Sequence, residues 1–251
     1  MKITREQKVY QLAFMPRFFP VNAYFVEEED SLTLIDTAMP FSAKGILQAA
    51  RDIGKPIARI VLTHAHGDHI GALDALKAAL PEATVYVPAR DARLLVGDSS
   101  LDPGEFAGPI KGAVPKPGKI RTKPDVLLKE GDRIGSLQAF STPGHTPGSM
   151  SYLDVRSLSL IAGDAMQVRG GIAVSGQVKA LFPFPAMATW SKEDSLASVK
   201  KLRQLNPSLL AVGHGRMLAN PADAIARAVE EAERNLQIKR SSNSNVTQNR
   251  T

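Results

Sequence analysis

The chain has 251 residues, 43% of them hydrophobic, which is enough for one large domain or two small ones with a full core. With 6% aromatic residues, 19 glycines and 17 prolines, the composition is neither fibrous nor disordered. The formal net charge of +6 raises nucleic acid as a partner, while the absence of cysteine excludes disulfides and thiolate ligands, so any metal must be held by nitrogen and oxygen.

The first residues, Met1 to Lys8, mix charges and lead into no apolar segment, and no later run reaches the length of a membrane span. A cytoplasmic protein with no membrane partner is expected. Residues 9–15, 21–28 and 31–36 read as strands, with alternation in Val21 to Val26 and a turn at Glu29-Asp30. Ser42 is the expected N-cap of a helix with apolar positions Ile46, Leu47, Ala50 and Ile53, ended by Gly54 and Pro56. A buried strand, Ile60 to Leu62, leads into the segment Thr63-His-Ala-His-Gly-Asp-His69. Beyond it, helical spacing runs from Ile70 to Leu80, Thr84 to Val87 is a strand, and Pro88 is expected to open a helix that reaches about Val96. Residues 97–118 are rich in Gly and Pro and have no periodicity.

The pattern then repeats in kind. Strands are expected near 125–128, 133–141, 149–155 and 157–162, followed by a helix over about 192–205 that starts at Ser191 and Asp194. A last strand, Leu209 to Gly213, precedes a helix opened by Asn220 and Pro221. Two such halves stacked sheet against sheet, with helices outside, make an α/β (α+β) fold: a four-layer αββα sandwich forming a single domain over residues 1–238. Residues 239–251 contain one apolar side chain and are expected to be a disordered tail.

Six basic residues (Lys111, Lys116, Lys119, Arg121, Lys123 and Lys129) fall in one Pro/Gly-rich stretch opposed only by Asp125. No aromatics interleave with them, as a stacking surface for single strands would require. The stretch is read as a solvated loop, with anion steering as the alternative.

All five histidines lie at expected strand ends. His64 and His66 are two apart on extended backbone, so both side chains point the same way and can chelate one ion. Gly67 then allows a sharp turn that faces Asp68 and His69 toward a second point. His145, in Ser141-Thr-Pro-Gly-His-Thr-Pro-Gly148, and His214, in Val212-Gly-His-Gly-Arg216, have the same setting. Asp164 follows an apolar strand and the small Gly163. Imidazole and carboxylate suit zinc, iron, cobalt or nickel.

The combination H-x-H-x-D-H at 64–69, P-G-H at 143–145, G-D at 163–164 and G-H-G at 213–215 resembles the metallo-β-lactamase superfamily, in order and context, from the Leu34 to Thr37 strand to His214. The resemblance implies that His64, His66 and His145 hold one divalent metal ion, that Asp68, His69 and His214 hold a second, and that Asp164 bridges them. Zinc is the default, with iron, manganese and cobalt allowed. It also implies a metal-dependent hydrolase in which a water shared by two ions becomes hydroxide near neutral pH, while Asp68 passes a proton to the leaving group. Asp36 resembles the family's structural aspartate beside the site.

Within the superfamily, His66 stands where flavodiiron oxygen reductases resemble H-x-E-x-D-H, and no cap or exosite arm of the nuclease branches is found. True β-lactamases of this fold use a cysteine or lack the bridging aspartate. Glyoxalase II enzymes share the ligands but add a helical glutathione-binding domain, whereas 37 residues follow His214 here. The compact lactonase-like and glyoxalase II-like metallo-hydrolases remain, although no tyrosine closely follows Asp164. The expected substrate is a small ester, lactone or thioester. A lactam hydrolase, a phosphodiesterase or nuclease, and a metal-dependent binding module are the alternatives. Phe18, Phe19, Met166, Phe182 and Phe184 are candidates for an apolar substrate pocket. Nucleic acid is not an expected partner, and a homodimer is left open.

Overall fold

Two sheets face each other across a buried seam in the computed structural model of this chain, which describes residues 1–248. The first sheet opens as an antiparallel meander of β1 (Lys2–Glu6), β2 (Val9–Phe14), β3 (Val21–Glu27) and β4 (Leu32–Ile35). Helix α1 (Ala43–Ile53) then crosses to β5 (Ile57–Val61), which pairs parallel to β4. The one-turn α2 (Gly67–Ile70) and α3 (Leu73–Ala79) lead to β6 (Thr84–Pro88). Past α4 (Asp91–Leu95), β7 (Val126–Leu128) completes the sheet, again in parallel. The spatial order of its seven strands is the chain order.

The second sheet is built from β8 (Arg133–Ile134), β9 (Leu137–Ser141), β10 (Met150–Asp154) and β11 (Ser159–Ile161). A small ribbon of β12 (Met166–Gln167) and β13 (Ala173–Val174), the short α5 (Phe184–Met187) and α6 (Lys192–Arg203) follow. Strand β14 (Leu209–Ala211) returns parallel to β11, β15 (Leu218–Ala219) closes the edge, and α7 (Ala222–Gln248) packs outside with α6.

The central strands, such as β3, β4, β10, β11 and β14, are buried on both faces because both faces are covered, whereas the edge strand β1 is exposed. Leu34, Ile60 and Leu62 pack with Ile46 of α1 and Leu73 and Leu76 of α3 on the outer side of the first sheet. Leu160 and Leu210 pack with Val199 and Leu202 of α6 and Ile225 of α7 outside the second. Their chain neighbours Ile35, Val61, Ile161 and Leu209 point into the seam between the sheets. Three buried layers separated by two sheets are the αββα sandwich that the strand and helix order implied.

Several local expectations are corrected. The expected strand 133–141 is a hairpin: Gly135, at φ +57°, turns the chain, and the Glu28 carboxylate accepts from Ser136 N at 3.0 Å. Pro88 ends β6 rather than opening a helix, which begins at Asp91. Ser42 does not cap α1, because residues 40–42 already form a 3₁₀ turn and its hydroxyl makes no cap bond. Ser191 does cap α6, accepting from Asp194 N at 3.2 Å. Residues 239–248, expected within a disordered tail, continue α7, since no Gly or Pro interrupts the helix there. The rest of that expected tail, residues 249–251, lies outside the described residues.

Each sheet holds a loop of the other. Tyr24 of β3 donates to Val212 O at 2.7 Å, just past β14. Tyr152 of β10 donates to Leu62 O at 2.6 Å, just past β5. Burial raises both phenol pKa values, so both hydroxyls remain donors. Val212 O has a second donor in Asn22 Nδ2 at 2.8 Å. Tyr152→Phe is therefore expected to cost about 2 kcal/mol and Tyr24→Phe about 1 kcal/mol. Urea unfolding checks the order, which should appear as a lower midpoint at unchanged m-value.

Candidate metal centre

Five chain segments converge on one end of the sandwich, each leaving the C-terminal end of a strand. Asp36 follows β4, the 64–69 segment follows β5, His145 follows β9, Asp164 follows β11 and His214 follows β14. Carboxyl ends of parallel strands are where α/β sheets present their functional loops. The expected sharp turn at Gly67 is the start of α2, which carries Asp68 and His69.

The sequence-predicted ligands meet. His64, His66 and His145 bring ring nitrogens within 4.8 Å of one another, and Asp68, His69 and His214 form a second group at the same criterion. Asp164 stands between the two. One of its oxygens is 3.4 Å from His69 Nε2, and the other is 3.4 Å from His145 Nε2 and 3.1 Å from His214 Nε2. Asp68 Oδ2 is 3.5 Å from His214 Nε2. It is the member of the set that is partly open to solvent, its side chain being 22% exposed.

Every imidazole has its other nitrogen engaged outward. His69 Nδ1 donates to Asp36 Oδ2 at 2.7 Å, and His214 Nδ1 to Pro20 O at 2.7 Å. His66 Nε2 donates to Lys111 O at 2.8 Å. Thr189 Oγ1 gives its proton to Pro185 O at 2.6 Å, so Ser175 Oγ donates to Thr189 Oγ1 and accepts from His145 Nδ1 at 3.1 Å. Thr63 Oγ1 gives its proton to Asp36 Oδ2 at 2.7 Å, so it accepts from His64 Nδ1 at 3.0 Å. These bonds fix each tautomer with a lone pair turned inward.

That arrangement suits a cation. His66 Nδ1 faces His145 Nε2 at 2.9 Å, and since each ring donates elsewhere, two lone pairs point at one another. His64 Nε2, His69 Nε2 and Asp164 Oδ1 are buried with no hydrogen-bond partner. A divalent ion bound to the inward atoms removes both conflicts. Burial lowers the pKa of His64 and His66, and pushes His145 down to about 3, so this trio is neutral and ready to ligate. Burial acts in the same direction on His69 and His214, but the carboxylates, Asp164 foremost, outweigh it and raise both. Asp164 itself is held well below the usual carboxylate range against its burial, chiefly by His214 and His69. The carboxylates thus favour protons at the inward nitrogens of His69 and His214 when no ion is bound, and a divalent ion held there would take the place of those protons.

The glycines of the motifs are steric requirements. A Cβ on Gly213 would run into Asp164 Oδ1 and the His69 ring. Gly163 combines φ +49° with direct packing on Thr63. Sequence reading missed Asp91, which is fully buried. It accepts from Ala65 N at 2.9 Å, Thr146 Oγ1 at 2.8 Å and Gly148 N at 2.9 Å, and so ties the His64–His66 loop to the His145 loop. Its position at the start of α4 gave it the appearance of an ordinary helix-end acid. The outer partners Pro20, Lys111 and Ser175 were also missed, two of them because they act through backbone carbonyls that carry no side-chain signature.

A cavity of about 890 Å³ opens over the centre, reaching Asp68, His66, His145, Asp164 and His214. Of the expected pocket residues, Phe19 and Phe184 line it. Phe182 is 1% exposed and packs behind the wall against Phe19 and the His214 ring. Met166 is buried in the outer core of the second sheet, because β12 turns its side chain there. Phe18 is 86% exposed and lies outside the lining. Met39, Val114 and Met187 supply apolar wall that sequence reading did not identify.

Asp36 touches His69 and, through Thr63, His64. Asp36→Ala is expected to weaken zinc binding by about 10–100-fold, read by competition with a chromogenic chelator.

The sequence model of the Metallo-beta-lactamase superfamily matches residues 16–214. The chain is 56% identical over 234 residues to the Bacillus subtilis (strain 168) protein YobT, covering 93% of this chain and all of that one. It is 30% identical to the probable metallo-hydrolase YflN of the same organism, over 77% of this chain and 80% of the relative. A hydroxyacylglutathione hydrolase of Gloeothece citriformis is 28% identical over 52% of this chain and 42% of its own length. Among solved structures, a di-iron-bound form of TTHA1623 superposes with a TM-score of 0.61 at 29% identity, covering 85% of this chain and 96% of that one. The mono-zinc form of FIM-1 from Pseudomonas aeruginosa shares the fold, with a TM-score of 0.67 at 19% identity over 92% of this chain and 95% of that one. With its histidine and aspartate motifs assembled at one end of an αββα sandwich, the chain belongs to the Metallo-beta-lactamase superfamily.

Proposed function

We propose that the chain is a hydrolase of small esters, lactones or thioesters that works with two divalent cations. The observation that carries this reading is the pair of three-ligand clusters with Asp164 between them, opening into an apolar cavity. His64, His66 and His145 would hold one ion, Asp68, His69 and His214 the other, and Asp164 would contact both. When bound, such ions supply Lewis acidity and an activated water at neutral pH. Zinc is the first expectation. The likeness to a di-iron protein keeps iron beside it, since nitrogen and oxygen donors do not select sharply between the two.

The chain's own residues do the rest. Asp68, partly open to the cavity, would receive a proton and return it to the departing oxygen or sulfur. Phe19, Phe184 and Met187 exclude water and hold the apolar part of the substrate. Thr63, Asp36, Ser175, Pro20 and Lys111 keep the rings oriented. The partial likeness to hydroxyacylglutathione hydrolases favours a thioester within the class. A lactam is the second reading, supported by the likeness to the B3 metallo-beta-lactamase BLEG-1 at 25% identity and a TM-score of 0.62.

Elemental analysis of folded, zinc-supplied protein should give two ions per chain, and a stoichiometry below one would overturn the two-ion reading. Asp68→Asn with both ions retained is expected to lose at least about 100-fold in kcat. A substrate panel of lactones, aryl esters, acyl thioesters, nitrocefin, phosphodiesters and short RNA should show cleavage confined to the carbonyl compounds.

A further inference from the structure

The six cations of the 111–129 stretch have different situations in the fold. Lys111 offers its carbonyl to His66, and Arg121 lies 3.7 Å from the Asp74 carboxylate. Lys116 and Lys119 instead line the cavity above the histidines. Neither has an ion-pair partner among the described residues.

The two lysines are held together by a turn. In Lys116-Pro117-Gly118-Lys119, Lys119 N donates to Lys116 O at 3.0 Å and Gly118 has φ +74°. Proline followed by a glycine with positive φ is what a type II turn requires, and it brings the first and fourth residues close. The turn is anchored at both ends. Gly97 lies so close to Pro117 that a Cβ would come within 2.6 Å of its nitrogen. Asp74 accepts from Arg121 N at 3.1 Å, from Thr122 N at 2.8 Å and from Thr122 Oγ1 at 2.6 Å.

The distance to the metal centre is bounded. Ala113 O accepts from Gly67 N at 2.9 Å, beside Asp68. Lys116 is three positions beyond Ala113, so the turn begins no more than about 10 Å away along the chain. The intervening wall carries Val114 and Pro115, with Ile120 beyond the turn. Two ammonium groups without a carboxylate partner, set on an apolar wall, create a potential that favours an anion and offers nothing to a neutral chain.

From this geometry we infer that the cavity selects carbonyl substrates bearing an anionic group, such as a carboxylate, phosphate or sulfonate, joined to the reacting carbonyl through a short apolar spacer. Lys116 and Lys119 receive the anion while the carbonyl lies at the histidine and aspartate centre. The inference rests on the carbonyl-hydrolase reading above. It assigns a specificity role to the basic segment.

The test uses zinc-loaded protein and two readouts. In the first, p-nitrophenyl hexanoate is compared with the p-nitrophenyl half-ester of adipic acid, which carries the anion on the acyl side, and the hexanoyl thioester of propanethiol with that of mercaptopropanesulfonate, which carries it on the leaving group. At low salt the anionic member of one arm should exceed its neutral counterpart in kcat/KM by about tenfold. The advantage should shrink as salt is raised to about 0.5 M. Lys116→Ala/Lys119→Ala should remove it through KM, and the corresponding double arginine variant should restore it. In the second readout, calorimetry compares octanesulfonate with octanol, and sulfonate affinity should fall about tenfold in the double alanine variant. Equal sulfonate binding by wild type and variant would overturn the inference whatever the esters do. Loss of sulfonate binding with no ester or thioester cleavage would instead retain the anion site and remove the hydrolase reading.

Discussion

Each buried histidine of the centre can present only one lone pair, and the outward bond on its other nitrogen decides which one. Neutral imidazole has one donor and one acceptor, so a carbonyl or hydroxyl acceptor outside the cluster forces the acceptor nitrogen inward. The five outer partners come from widely separated parts of the chain: Pro20 before β3, Asp36 after β4, Thr63 after β5, Lys111 in the long loop and Ser175 after β13. The site therefore depends on most of the fold for its chemistry as well as for its position.

The same dependence shows in how the sheets are joined. The loop that carries His214 is held by Asn22 and Tyr24 of the first sheet, through Val212 O, Gly213 O and Gly215 O. The loop that carries His64 is held by Tyr152 and Met150 of the second sheet, through Leu62 O and Thr63 O. Asp91 adds a third tie between the His64–His66 and His145 loops. Each ligand group draws histidines from both sheets, so relative motion of the sheets would pull each group apart, and rigidity of the sandwich and integrity of the centre are one property.

The cavity divides the labour differently. Its floor is the ligand set, packed so closely that Gly213 admits no side chain, whereas its wall is drawn from the long loop after α4 and from α5. Loops of this kind can change without disturbing the strands beneath them. The connection is still direct, since Lys111 O bonds His66 and Ala113 O bonds Gly67 in the same loop that displays Lys116 and Lys119. Substrate contacts and ligand orientation are thus coupled through a few residues of backbone.

The sequence by itself determined what depends on local pattern. Apolar runs bounded by turn residues marked most of the strands, the Ser191 cap marked α6, and clustered His and Asp at strand ends marked the seven residues that converge. Tertiary structure decided what depends on approach between distant segments. The β8–β9 hairpin follows from Gly135 folding against Glu28, and Asp91 matters because two loops remote in sequence bring it three donors. Phe182 and Met166 read like pocket residues but face the interior, while Met39 and Met187, unremarked in the sequence, face the cavity. An apolar side chain is equally suited to a core or a pocket, and only the packing of the chain around it decides which one it meets.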